Sequence, residues 1–319
     1  ERNMDLRPTR ALDDRHAPTA SLTVDDLAHA GSAIPGLHVS RLDRGRAAAE
    51  LTLVGLEDIG LCVGRFDYRV STEGGIGDSE FRIALQLEPG SGSWNGRAFD
   101  LDRLWVYGPG SEHAGAAVPH RAGRGATWAT FAVSIEAGAR ADGWDPAGRP
   151  GSLSILDADA GRVRRTIRDV MTEMRARTLT VERARRAGRE LHETTASMLL
   201  DAENARVKVP SAYRITRRCL EVADDLDPIP TTAELAGALD ISDRWVRSAF
   251  GRVYGVSVSA FFRARSLHRA RRALIAADPT STSVAEISMA CGFWHLGRFS
   301  GYYRAHFGEY PRTTLHRGS

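Results

Sequence analysis

A pattern that occurs twice constrains this chain more than any other feature. Residues 231–255 read TTAELAGALDISDRWVRSAFGRVYG, and residues 283–308 read SVAEISMACGFWHLGRFSGYYRAHFG, about 53 positions later. Each copy opens with a hydroxyl residue three places before a glutamate: Thr231 with Glu234, and Ser283 with Glu286. That spacing is a capping box, in which the hydroxyl accepts from the third helical N–H and the carboxylate reaches back to the cap. Leu235 and Leu239 correspond to Ile287 and Cys291, Phe250 to Tyr303, and Gly255 to Gly308, each glycine following an aromatic. A repeat of this kind is a repeated supersecondary unit, here two helix–turn–helix units. Between them, Phe261, Leu267, Ala270 and Leu274 keep helical spacing and predict one long helix over 257–277. Its Arg263, Arg265, Arg269, Arg271 and Arg272 read as a mixture of surface and structural pairs.

The second copy carries a more specific string. Residues 285–311, AEISMACGFWHLGRFSGYYRAHFGEYP, contain an Ala-x-Gly-Phe turn, a polar helix start, an aromatic pair and a closing Phe-Gly-x-x-Pro. On these residues the segment from about Tyr213 to Arg317 resembles the DNA-binding domain of AraC/XylS-type transcription regulators. Within that family, Trp294 to Phe299 together with Thr314 to His316 resembles the ethanolamine-utilisation regulators. The resemblance implies an α+β two-domain chain. Its parts would be an N-terminal cupin-like β domain with a helical hairpin, and a C-terminal all-α domain with two helix–turn–helix units. It implies double-stranded DNA as partner, a homodimer, and RNA polymerase if the output is activation. It also implies a small-molecule effector. No Ser-His-Asp or Cys-His order can be defended from the residues, so the β domain is expected to bind rather than to catalyse, with no cofactor.

The rest of the chain fits a division into 1–35 as an arm, 36–157 as the sensor and 158–205 as the hairpin. Residues 206–211 would be a linker, and 212–319 the DNA-binding domain, with its units at 231–254 and 283–307. In the arm, Thr23 with Asp26 allows a short helix to Ala30. Strands are expected at 37–42, 48–54, 59–70, 80–88, 104–107 and 127–135, from alternation and β-branched or aromatic enrichment. Gly74-Gly75, Pro89-Gly90, Asn95-Gly96 and Gly108-Pro109-Gly110 punctuate them, and Asn95-Gly96 is a hairpin turn candidate. From 159 to 203 the rhythm becomes helical, with Val163, Ile167, Val170, Met171 and Met174, then Leu191, Thr195, Met198 and Leu199. Ten arginines lie between Arg162 and Arg189, read either as a solvated face or as part of a hairpin whose apolar stripe pairs with a second chain.

Charge is nearly balanced at +3. Residues 211–319 hold 15 Arg against 10 acidic residues, whereas 1–210 hold 28 basic against 30 acidic. Three cysteines, Cys62, Cys219 and Cys291, lack metal spacing and predict packing roles in a reducing cytoplasm. No apolar run reaches membrane length, and no signal peptide opens the chain. His113 and His120 do not provide the paired histidines of a metal-bearing cupin, so no metal is expected.

Second helices of such units enter the major groove with their N-terminal side chains at base edges. In the first unit Ser242 is the expected N-cap, and Val246, Ala249, Phe250 and Val253 are core, leaving Arg244, Arg247 and Ser248 as DNA contacts. Trp245 is read as partly packed, with a thymine-methyl contact as the alternative. In the second unit Phe293, Phe299, Tyr302 and Tyr303 are core; His295, Arg298 and Arg304 are contacts, His295 alternatively as a cap. Gly297 and Gly301 offer little to grip a base, which favours backbone anchoring there. For the effector, Trp105, Tyr107 and Trp128 with Glu112 as counter-charge would suit a small amine or amino alcohol. Two other readings stand beside this one: a ligand-independent regulator with a scaffold β domain, and an enzyme domain fused to a DNA-binding module.

Overall fold

Period-two alternation in the first half and 3.6-residue periodicity in the second divide the chain into a β part and a helical part. The computed structural model describes residues 16–24, 37–44, 49–66, 68–75, 80–88, 92–94, 97–98, 101, 103–108, 110, 112–117, 126–134, 153–157, 160–201, 211–223, 225–226 and 229–317. The strands are β1 (Thr19–Val24), β2 (Leu37–Arg41), β3 (Ala49–Leu56), β4 (Ile59–Phe66), β5 (Val70–Gly75) and β6 (Glu80–Gln86). They continue with β7 (Gly92–Trp94), β8 (Arg97–Ala98), β9 (Arg103–Tyr107), β10 (Glu112–Ala117), β11 (Ala126–Ser134) and β12 (Leu153–Asp157). They form a seven-stranded sheet ordered β1-β3-β4-β11-β6-β9-β12 and a five-stranded sheet ordered β2-β5-β10-β7-β8. Every pairing is antiparallel.

Several details differ from the sequence expectation. Thr19–Val24 is an edge strand paired with β3, so the chain is in the sheet well before residue 36 and Thr23 opens no helix; residues 25–30 lie outside the described residues. The 59–70 run is two strands in different sheets, parted around Tyr68. Gly74-Gly75 is no turn: both residues lie in β5, opposite His113 and Glu112. The expected hairpin is present, with Trp94 opposite Arg97, while Asn95-Gly96 themselves, like Pro89-Gly90, Pro109, His120 and linker residues 206–210, lie outside the described residues.

Two helices, α1 (Ala160–Arg175) and α2 (Val181–Asp201), cover one face of the larger sheet. Val163, Ile167, Val170, Ala184, Ala187 and Leu191 join Leu61, Val63, Ile83, Leu85, Val106 and Phe131 in one core. Each such large aliphatic group contributes roughly 1.5–3 kcal/mol on leaving water. Gly188 makes this packing possible, since a Cβ there would lie 2.3 Å from the Leu56 carbonyl oxygen. The hairpin's apolar stripe is therefore covered by the chain's own sheet rather than held open for a second chain. Nor are its arginines all solvated. Arg164 is buried and donates to the Gln86 carbonyl at 3.3 Å, and Arg168 donates to the Leu87 carbonyl.

Among the described residues the C-terminal half is helical: α3 (Ser211–Ala223), α4 (Thr232–Leu239), α5 (Asp243–Val253), α6 (Val258–Ala276), α7 (Val284–Ala290), α8 (Leu296–Phe307) and α9 (Pro311–Arg317). Two cores divide it. One gathers α3, α4, α5 and the start of α6 around Phe250, Tyr254, Phe261 and Phe262. The other gathers the rest of α6 with α7, α8 and α9 around Leu274, Phe293, Phe299 and Tyr303. Helix α6 belongs to both, with Val258, Phe261 and Phe262 in one and Leu267, Ala270 and Leu274 in the other. Cys62, Cys219 and Cys291 are buried free thiols. Burial pushes Cys62 and Cys219 up to about 12, against nearby arginines, so neither supplies a thiolate at neutral pH.

Candidate nucleic-acid interface

Caps and turns fix the two helix pairs α4–α5 and α7–α8. Both capping boxes close: the Thr231 hydroxyl accepts from the Glu234 N–H and Glu234 accepts from the Thr231 N–H, and Ser283 and Glu286 repeat this. The first pair turns at Asp240 in the left-handed region (φ 52°), and the second at Gly292 (φ 82°) with Phe293 buried behind it. Gly308 (φ 77°) ends α8 and donates to the Arg304 carbonyl. Glycine meets no Cβ penalty in that conformation. Ser242 and His295 occupy the N-cap positions of α5 and α8, but neither side chain bonds to its helix. His295 thus does not act as a cap, and it is exposed.

One face of each second helix is core. Val246, Ala249, Phe250 and Val253 are buried on α5, as are Phe299 and Tyr303 on α8, with Tyr302 half-buried. The opposite face of α5 presents Arg244 and Arg247, both exposed, and half-buried Ser248. Arg247 is held by Asp243 at 3.3 Å, an exposed pair that water and salt weaken. Trp245 is 59% exposed, so most of its indole lies on the outer face beside the arginines. On α8 the exposed residues include Leu296, Gly297, Arg298, Gly301 and Arg304. A Cβ on Gly297 or Gly301 would meet nothing within 4 Å, so this surface is bare backbone. Arg304 is not a loose cation: it donates to Tyr310 Oη at 2.6 Å and lies over that ring at 4.8 Å. An open groove of about 740 Å3 runs beside α8, walled by Val284, Leu296, Ser300, Tyr310 and Pro311 and edged by Arg312.

Behind the second pair lies a buried polar network that periodicity did not reveal. Arg271 of α6 donates to Tyr303 Oη at 3.1 Å, to Glu309 Oε1 at 2.8 Å and to Thr314 Oγ1 at 3.4 Å. Glu309 also binds Arg317 at 2.6 Å. Burial tends to raise the Glu309 carboxyl, but its bonds to Arg271 and Thr314 and the nearby guanidiniums leave it lower than usual. Burial raises Tyr303 to about 12 despite Arg271, so it remains a phenol. The network ties α6, α8 and α9 into one body and so fixes α8.

The β part also touches this domain. Arg69 donates to the carbonyl of Gly255, just past α5, at 2.8 Å, and its own N–H is held by Asp43 at 2.7 Å. The backbone N–H of Arg41, at the end of β2, donates to His268 Nε2 of α6 at 2.9 Å. The expected effector residues are partly brought together. Trp105 and Tyr107 are buried in β9, and Trp128 of β11 stacks on Phe66 at 5.8 Å. The pairings Trp128–Gln86, Thr130–Ala84 and Ala84–Trp105 put these rings on one sheet face. Glu112 starts β10 in the other sheet, and its side chain lies outside the described residues. Among the described residues no His, Cys, Asp and Glu cluster suits a metal.

A helix-turn-helix domain family model matches residues 235–317, the span from α4 through α9. The relatives say which kind. A probable thc operon regulatory protein of Rhodococcus erythropolis is 34% identical over 85 residues, 27% of this chain and 26% of that protein. A XylDLEGF operon transcriptional activator of Pseudomonas putida is 32% identical over 96 residues, 30% of this chain and 29% of its own. The C-terminal domain is an AraC/XylS-type helix-turn-helix domain. Its fold also aligns with a probable AraC family transcriptional regulator of Rhodopseudomonas palustris, 33% identical over 33% of this chain and 97% of that one, with a TM-score of 0.29. The AraC-like transcriptional activator CuxR aligns over 79% of this chain and 94% of its own, at 17% identity and a TM-score of 0.41. The chain spans about a quarter of the length of these curated relatives, so the likeness rests on the AraC/XylS-type domain. The relatives are regulators by name, and none is named as an enzyme. No helix among the described residues is long and apolar enough to cross a membrane.

Proposed function

We propose that this chain is a transcription regulator that binds a specific site on double-stranded DNA through both helix pairs, with a small-molecule sensor in its β part. One observation carries the DNA reading. In both pairs the second helix buries one face in its own core and leaves its N-terminal turns exposed, with Arg244 and Arg247 on α5 and Arg298 on α8. Arginine there can bind guanine O6 and N7 bidentately. Helix α6 joins the pairs rigidly, which suits two major-groove turns roughly 34 Å apart on one face of B-DNA. Ser248, His295 and Arg304 complete the contact set, with Arg304 oriented toward phosphate by Tyr310. The test compares Arg247→Ala with the unaltered chain on a selected duplex and on random DNA. A loss of roughly 1–3 kcal/mol on the selected duplex alone is expected for a base contact. Equal weakening on both would reduce Arg247 to a phosphate contact.

The sensor reading is supported by buried polar atoms without a hydrogen-bond partner, Gln86 Nε2 and Thr130 Oγ1, on the face that carries Trp105 and Trp128. Buried polar groups are nearly always satisfied, so atoms of this kind suit a polar ligand or an ordered water on that face. A small amine or amino alcohol, as in the ethanolamine-type regulators, is the first class to try, with Glu112 as counter-charge. Activation through RNA polymerase and homodimerisation belong to the same proposal. The dimer surface is then one other than the hairpin stripe, which α1 and α2 bury against their own sheet. A ligand at a hundred times its Kd adds roughly 2.7 kcal/mol of stability. A raised melting temperature with one compound supports a sensor; no shift across amines, amino alcohols and neutral polyols favours a scaffold.

A further inference from the structure

Two imidazoles meet where the β part grips the DNA-binding domain. His268 of α6 is 2% exposed and His306, near the end of α8, is 4% exposed. Their Nε2 atoms are 3.3 Å apart and their rings are edge-on, with the Phe307 ring against both. His268 Nε2 accepts the Arg41 backbone N–H, so that nitrogen must carry a lone pair. His268 is therefore neutral here with its proton on Nδ1, which is buried and has no hydrogen-bond partner. The Arg41 side chain is itself buried, its guanidinium 5.6 Å from the Tyr68 ring and 6.0 Å from that of Phe307.

We propose that Arg41, His268 and His306 form an acid-sensitive clasp between the β part and the DNA-binding domain, closed while both imidazoles are neutral and released when they take up protons. A proton on His268 Nε2 turns the acceptor into a donor facing the Arg41 N–H, and the bond is lost. A proton on either ring places a cation in a buried, already cationic site. Positive charge reaches the pair from Arg41 and Arg44, in β2 and the residues after it, and from Arg271 and Arg272 of α6. The nearby carboxylate, Glu309, is committed to Arg271 and Arg317.

The sign follows from linkage. Burial, then His306 and the guanidiniums of Arg41 and Arg272, outweigh the raising effect of the Arg41 backbone bond and hold His268 well below its usual 6.5. Burial, then the Arg41 guanidinium, hold His306 at about 3, against a raising backbone bond to Arg41. Closed-state stability from depressed histidines is fully present above 6.5 and is lost as pH falls from there toward the closed-state values. Between pH 7.5 and 5.5 the open-to-closed ratio rises roughly tenfold for one such histidine and a hundredfold for two. The clasp would free α6 and the end of α8 from the β part as the medium acidifies. It does not depend on which DNA sequence the domain reads.

The test is amide hydrogen exchange in the full chain from pH 7.5 to 5.5, corrected for intrinsic exchange. The Arg41 amide should lose about a hundredfold of its protection while central β11 amides lose none. In H268Q, whose side-chain carbonyl can accept the same N–H but does not titrate, the loss should shrink to about tenfold. In H268Q/H306Q it should vanish. Should the variants fail to fold, ring-proton shifts of the unaltered protein decide. Imidazoles that stay neutral in the closed form at pH 5.5 support the clasp, whereas a titration near 6.5 with Arg41 protection unchanged overturns it. Loss of protection at Arg41 and β11 in parallel also overturns it, since that reports global unfolding.

Discussion

Replacing Arg271 by Met should cost the C-terminal domain about 3 kcal/mol, the lower end for breaking one partner of a buried ion pair. The side chain is 9% exposed and Glu309 is 12% exposed, so water cannot take over the interaction. Met fills most of the volume but removes the bonds to Glu309, Tyr303 and Thr314, together with the guanidinium 4.6 Å from the Phe307 ring. The loss stays near the lower end because Glu309 keeps Arg317 at 2.6 Å and Thr314 at 2.9 Å. The assay is urea unfolding of residues 206–319 with the slope constrained, comparing R271M, E309L and R271M/E309L. The double variant should recover much of the single loss, because an apolar pair leaves no stranded charge. A loss below about 1 kcal/mol in R271M would refute this, since it would put the pair among exposed salt bridges.

Other substitutions test particular packing statements. Gly188→Ala forces a Cβ to within 2.3 Å of the Leu56 carbonyl, and overpacking of that kind costs roughly 1–3 kcal/mol, read as a lower melting temperature of the β part. Gly301→Ala meets open space inside α8 and should stabilise the domain by about 1 kcal/mol, the ordinary Gly-to-Ala gain in a helix interior. Thr231→Ala removes a closed cap, and a loss of about 1 kcal/mol is expected in the same unfolding assay.

What the sequence revealed, and what it hid, divides along physical lines. The helix pairs were legible because their signals are local. Capping boxes, the Gly292 and Gly308 turns and the apolar spacing of Val246, Phe250, Phe299 and Tyr303 all act within a few residues. Strand β1 was hidden because Thr23 followed by Asp26 mimics a helix start, and only pairing with β3 selects the extended form. Strands β10 and β12 lack strong alternation and depend on their sheet partners. The hairpin stripe at Val163, Ile167 and Val170 was visible, but periodicity says only that a face is apolar. It took the sheet beneath it to show what covers that face. Arg271 was one arginine among several on α6, and its partners Tyr303 and Glu309 lie 32 and 38 residues away. His268 and His306 carried no sequence signal at all, since their meaning comes from Arg41 across the domain contact.

The central claim, that both helix pairs read DNA, is tested most directly by selecting duplexes from a random pool with the full chain at roughly physiological salt. Two sequence elements centred about 10 base pairs apart are expected, one blurred by Arg247→Ala and the other by Arg298→Ala. A single element indifferent to Arg298 would confine reading to the first pair. A pool that stays random, with binding that only weakens with salt, would contradict the account.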